Sequence, residues 1–234
     1  MLNFHPLTHL VLSPQEYCQS LSQIFSSHAD PHRAAAKEKY MRNLFSFYGL
    51  PSPVRKALQA DFVKTYGKPA AHQWKEIVGL LWKAEQRELQ YAALEISLPF
   101  MKKASPQDIF FLEELIISKS WWDTVDGLAA QHAGAYFKKY SERIPEITER
   151  WMLSGNFWLQ RSCLLFQLKY KEKTDFDLLS SFINRLKPDK EFFIQKAIGW
   201  SLREYAKTQA ETVRSFVDEA GIIGLARREA LKHL

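Results

Sequence analysis

The chain has 234 residues, 46% of them hydrophobic, enough apolar side chain to bury a substantial core and to exclude an intrinsically disordered protein. Its 32 Lys and Arg against 26 Asp and Glu leave a formal charge of +6, which favours polyanionic partners through counterion release without identifying one. Cys18 and Cys163 stand far apart and outside any Cys-x-x-Cys spacing, so neither a disulfide framework nor a zinc site is indicated and a reducing cytoplasm is expected.

The N-terminal MLNFHPLTHLVLSP has neither a basic start nor a long apolar run. No stretch reaches the roughly 18 uncharged residues of a membrane span. A soluble intracellular protein with no membrane partner is expected. Further along, glycine is scarce at nine residues, no segment alternates with period two, and apolar residues recur at three- and four-residue spacing. These features predict an almost entirely helical protein. Breaks at Asp30-Pro31, Gly49 to Pro53, Gly67 to Pro69, Ser105-Pro106, Pro145, Ser154-Gly155 and Pro188 leave segments joined by short turns, so that successive helices are antiparallel neighbours. His28 and His32 are four apart, but Asp30-Pro31 separates them, which disfavours a helical metal pair.

Three segments share a pattern: LQYAAL from Leu89, LQRSCLL from Leu159 and IQKAIGW from Ile194. Their glutamines, Gln90, Gln160 and Gln195, are 70 and 35 residues apart, and a step of 35 from Gln90 falls on Val125. The residues that follow these positions are Tyr91, Asp126, Arg161 and Lys196, and one step back from Tyr91 reaches Lys56. They are expected to line one side of a stack. No tetratricopeptide signature is found, so the expectation is an α-α superhelix of about six degenerate HEAT-like helix pairs forming one domain over 1–234, with a concave binding face. An irregular helical bundle is the alternative.

In KSWWDTVDGLAA, from Lys119, Ser120 and Asp123 have the spacing of a capping box. Asp126 lies beyond the first turn, where the field of the helix N-terminus has faded, and four residues after Trp122, which puts it on the face of an indole. It is either solvated, paired with Arg161 or Lys196, or part of a binding surface. A carboxylate there opposes simple phosphate affinity and suits a cationic substrate or an oxocarbenium-like transition state. Arg161, flanked by Trp158 and Leu165, suits bidentate contact with either a phosphate or a neighbouring acid. Trp200 follows Gly199, which lets another stretch of chain approach closely; a core tryptophan is the plainer reading. The basic segments KYKEK, from Lys169, and ARREALKH, from Ala226, read either as phosphate grips or as solvated helix ends, the latter preferred for the C-terminal one. There is no G-x-S-x-G, no phosphate-binding glycine loop and no His-Glu-x-x-His.

KYMRNLFSFYG from Lys39, SWWDTVD from Ser120, NFWLQRSCLLFQL from Asn156 and KAIGWSLREYAK from Lys196 resemble, in order and spacing, motifs of the AlkD-type DNA alkylation repair glycosylases. The resemblance covers most of the chain. It implies a monomeric base-excision enzyme that hydrolyses the N-glycosidic bond of cationic N3- and N7-alkylated purines in duplex DNA, without metal, cofactor or deep base flipping. It further implies that Trp122 and Trp200 pack against the lesion deoxyribose, that Asp126 is the catalytic acid position, that Arg161 contacts the DNA backbone and that Tyr40 approaches the lesion. Lys196, Tyr91 and Lys56 join these as DNA-binding candidates through the repeat register. The alternatives are a non-catalytic relative that binds damaged or distorted DNA and a HEAT scaffold for protein partners.

Overall fold

The computed structural model describes residues 12–234. The reading of the N-terminal MLNFHPLTHLVLSP rests largely on residues 1–11, which lie outside the described residues. The chain divides into two compact units, Met1–Phe100 and Met101–Leu234. Among the described residues there is no β-strand, and no helix is long and apolar enough to cross a membrane.

The first unit holds α1 (Pro14–Ser27), α2 (Pro31–Tyr40), α3 (Ser52–Tyr66), α4 (Trp74–Lys83) and most of α5 (Arg87–Met101). The first two helices start where local chemistry dictates. Ser13 and Glu16 form a reciprocal capping box, and Asp30 accepts from the Arg33 amide with Pro31 in the first turn. Tyr17, Leu21 and Phe25 of α1 are buried, as are Phe62 of α3 and Ile77, Val78 and Leu81 of α4. Each such side chain contributes about 1.5–3 kcal/mol. The turn before α3 is pinned by Glu88, whose fully buried carboxylate accepts from the amides of Tyr48, Gly49 and Leu50 at 3.0, 3.0 and 3.1 Å. Gly49 has φ 86°, and a Cβ there would lie 2.2 Å from the Asp30 carbonyl oxygen, so only glycine fits.

The second unit begins at the last residue of α5 and continues with α6 (Asp108–Ile117), α7 (Trp122–Gly127), a π-helical stretch (Leu128–Ala133) and α8 (Gly134–Lys139), the last three forming one continuous rod. After it come α9 (Ile144–Leu153), α10 (Phe157–Leu165), α11 (Phe176–Leu186), α12 (Phe192–Ala206), α13 (Ala210–Glu219) and α14 (Gly224–Ala230). Val125, Tyr136, Phe137, Trp151, Phe166, Ile183, Ile198 and Val217 form the core.

The 35-residue period is physically present in the second unit. Contacts join groups 35 to 37 positions apart: Lys139 to the Ala104 carbonyl, Tyr170 to the Gly134 carbonyl, Arg185 to Glu149 and Arg150 to Glu113. The register glutamines have a common task. The Gln90 side-chain amide donates to the carbonyls of Trp82 and Ala84 at 3.2 and 2.8 Å, Gln160 to Met152 at 3.0 Å, and Gln195 to Lys187 and Asp189 at 3.3 and 2.6 Å. Each therefore reaches back eight residues, and two of them also six, to satisfy carbonyls left open where the preceding helix ends. Val125, the register position without an amide, is fully buried.

Candidate active site

The Trp-Asp helix starts one residue later than a Ser120 cap requires. Its N-cap is Trp121 with no side-chain cap bond, and the Ser120 hydroxyl instead donates to the Ile116 carbonyl at 2.6 Å, closing the end of α6. The expected Ser120–Asp123 capping box is thus corrected: a nearby open carbonyl captures the hydroxyl. From this start Thr124 and Val125 point into the core, while Trp122 and Asp126, one turn apart, remain half-buried.

Arg161 reaches Asp126 from α10, a helix set by the Asn156 side chain, which accepts from the amides of Trp158 and Leu159, and by the Gln160 clamp described above. The guanidinium donates from Nε to Oδ1 at 2.8 Å and from Nη2 to Oδ2 at 3.0 Å, a fork-to-fork pair, and from Nη1 to the Phe193 carbonyl at the start of α12. The Arg161 side chain is 4% exposed and that of Asp126 17%. Of the partners left open by spacing, Asp126 takes Arg161 and not Lys196, and Arg161 takes a carboxylate. In this structure the Arg161 fork is engaged by the Asp126 carboxylate.

An aromatic wall explains the burial. The Phe193 ring meets Trp121 edge-on at 5.0 Å, contacts Trp158 at 5.0 Å and stacks with Phe157 at 6.4 Å, and the Arg161 guanidinium carbon lies 5.9 Å from its centre. Burial pushes the Asp126 carboxyl above its ordinary 3.8, the charge and hydrogen bonds of Arg161 pull it down, and Asp123 adds a smaller upward push. The site combines a desolvated acid with the Arg161 guanidinium, whose charge and hydrogen bonds favour its carboxylate form.

Trp200 lies on α12 with Lys196 one turn before it and Arg203 one turn after it on the same face. Both cations bind Glu229 of α14, Lys196 at 2.8 Å and Arg203 at 2.6 Å, and together they hold the Glu229 carboxyl down to about 2. Gly199 permits this: a Cβ on it would lie 2.3 Å from Glu229 Cβ and 2.8 Å from the Ala226 carbonyl oxygen. The close approach expected at Gly199 is that of α14, whose Ala226 and Ala230 are buried. The helix packs through these alanines, while the basic residues of the segment face outward as expected of a solvated helix end: Arg228, Lys232 and His233 are exposed and Arg227 pairs with Asp218 at 2.7 Å. Trp200 itself is half-buried.

The remaining candidates belong to the first unit. Tyr40 ends α2 and is 72% exposed; Lys56 on α3 is exposed and 4.0 Å from Glu95; Tyr91 on α5 is half-buried with the Arg55 guanidinium carbon 5.8 Å from its ring centre. Sequence reasoning missed Phe193 and Glu229. Phe193 had a signal, because it precedes Gln195 by two residues as Trp158 precedes Gln160. Glu229 had none. No group of three or more His, Cys, Asp or Glu able to hold a metal occurs among the described residues.

Comparisons with known proteins agree with this architecture. A solved structure described as a predicted DNA alkylation repair enzyme from Enterococcus faecalis is 33% identical, covers 88% of this chain and 96% of its own, and superposes with a TM-score of 0.81. A search of curated proteins finds no match. The family model described as DNA alkylation repair enzyme matches residues 21–234, and the chain belongs to that family.

Proposed function

We propose that this chain is a monofunctional alkylpurine DNA glycosylase that hydrolyses the N-glycosidic bond of cationic N3- and N7-alkylated purines in duplex DNA. The observation that carries this reading is Asp126, a carboxylate held by a bidentate arginine, part exposed, one turn from a half-buried tryptophan. Family membership supports DNA as the partner and alkylation damage as the lesion.

The chemistry asks little of such a site. Alkylation at N7 or N3 puts positive charge on the purine, so the base departs neutral and no proton donor is required. As the C1′–N bond breaks, positive charge develops on the deoxyribose. Asp126 stabilises that charge and orients the water that adds to C1′, its proton passing to the carboxylate or to solvent. The indoles of Trp122 and Trp200 offer π faces to the same cationic sugar. Arg161 acts through Asp126 as a positioning residue, keeping it ionised against burial. Tyr40, Lys56, Tyr91 and Lys196 are assigned to the DNA-binding surface. No deep base pocket is needed, because the leaving group carries its own activation.

The test is release of 7-methylguanine and 3-methyladenine from methylated duplex by wild type and by Asp126→Asn at matched fold and DNA affinity. Release that collapses in the variant supports the reading. A folded wild type that binds duplex DNA and releases nothing replaces it with a non-catalytic damage binder.

A further inference from the structure

The helices that carry the site end, in the second unit, in a row of lysines. Lys103 follows α5, Lys138 lies in the last turn of α8 and Lys173 follows α10, each 35 residues from the next. Lys102, Lys139 and Lys171 stand beside them, and all six are exposed. Contacts make the row continuous: the Ala104 carbonyl accepts from Lys139 at 2.7 Å and from the Tyr140 hydroxyl at 2.8 Å, and the Lys138 ammonium sits 4.6 Å from the centre of the Tyr170 ring.

Three features separate these lysines from ordinary helix ends. Favourable interaction with the helix dipole accounts for Lys138 and Lys139, whereas Lys171 and Lys173 lie well past the end of α10 at Leu165, in a single three-residue 3-10 turn, Lys171–Lys173, that has too few aligned peptides to carry an appreciable dipole. Among the described residues Lys102, Lys103, Lys138, Lys171 and Lys173 pair with no carboxylate, whereas Arg161, Lys196 and Arg203 all do. Lys171 is held at φ 54°, a left-handed conformation that costs a non-glycine residue on the order of 1–2 kcal/mol. Glu172 lies among them and leaves the row strongly positive.

We propose that this row is a second phosphate-binding edge. Lys138 is twelve residues along one continuous rod from Asp126, about 18 Å at 1.5 Å per residue. A duplex rises about 3.4 Å per base pair, so the edge meets the backbone no more than about five base pairs to one side of the lesion. This placement rests on Asp126 marking the lesion. It supplies a sequence-independent grip away from the Arg161 fork.

The test uses the full chain with Lys103→Gln, Lys138→Gln, Lys171→Gln and Lys173→Gln combined, and the same four positions changed to Arg as the conservative control. Two duplexes carry one 7-methylguanine each, with ten base pairs on one side and three on the other, in opposite orders. Wild type is expected to bind one order about tenfold tighter, and the Gln variant to bind both alike. The slope of log affinity against log salt is expected to fall in magnitude by about 3.6 in the Gln variant, about 0.9 for each lysine, and to persist in the Arg control. An unchanged slope in the Gln variant overturns the proposal, and so does a wild type indifferent to the order of the arms. Base release from the same duplexes is scored separately: a lowered slope without release by wild type retires the glycosylase reading and leaves the phosphate edge standing.

Discussion

Among the bidentate arginine–carboxylate pairs of the described residues, two have a buried guanidinium, one in each unit, and they differ in what surrounds their acids. In the first unit Arg55 donates to Glu95 at 3.1 and 2.7 Å, and in the second Arg161 donates to Asp126 at 2.8 and 3.0 Å. Both guanidinium side chains are 4% exposed. Glu95, however, is 38% exposed and shares a second cation, Lys56, while Asp126 is 17% exposed beside a fork backed by aromatic rings. Water can solvate the first acid if its arginine leaves; the second depends on its arginine. A bidentate pair, end-on through Nη1 and Nη2 in Arg55 and side-on through Nε and Nη2 in Arg161, is therefore a clamp between α3 and α5 in one place and a charged, poorly hydrated centre in the other.

The largest expected effect of breaking this contrast is catalytic. Asp126→Asn is expected to lower single-turnover methylpurine release by about 100- to 1,000-fold, the magnitude of losing one preorganised electrostatic group, while Glu95→Gln leaves the rate near wild type. Equal losses in the two variants would erase the distinction. Next comes stability. Arg161→Ala, which strands a buried carboxylate, is expected to lose about 3–5 kcal/mol in urea unfolding, and Arg55→Ala clearly less because Glu95 faces solvent.

Asp126 and Glu229, both in the second unit, sharpen the comparison through pH. The Asp126 carboxyl titrates above 3.8 in the folded state, so its contribution to stability falls as pH rises through the window between 3.8 and that raised value. The acid limb of methylpurine release is expected above 3.8 and, with the pull of Arg161 removed, higher still. Glu229 runs the other way. Its carboxyl is held at about 2 against an ordinary 4.5, so its stabilisation is complete above 4.5 and is lost as pH falls toward 2. Acid unfolding of wild type and Glu229→Gln should converge across that interval, and curves that stay parallel would show that Glu229 contributes nothing there. The smallest effect is local: Gln195→Ala, which opens the carbonyls of Lys187 and Asp189, is expected to cost about 1 kcal/mol, whereas a polar replacement at the exposed Lys56 costs almost nothing.

Much of this was legible before any coordinates. Breaks at Asp30-Pro31, Gly67 and Ser154-Gly155 fall where helices end, because proline, glycine and short polar side chains act on their own backbone. The glutamine register was legible because a repeated task, closing the preceding helix, demands the same side chain at the same offset. The interruption of α7 and α8 by a π-helical stretch was not, since Leu128–Ala133 is an ordinary helix-forming run. Nor was Pro99 readable as lying inside α5, where packing overrides its local cost.

By itself the sequence determined the helical class, the 35-residue period and the placing of Tyr91, Asp126, Arg161 and Lys196 at one register, all set by side chains within a few residues or by recurrence along the chain. Only the tertiary structure decided the partners. Arg161 had a phosphate or an acid open to it, and Lys196 had Asp126; packing of α7, α10 and α12 brought Arg161 to Asp126, and the close approach allowed by Gly199 brought Glu229 to Lys196. Those choices join groups more than 30 residues apart in sequence, and ångström differences in helix packing, invisible to local spacing, select which charges meet.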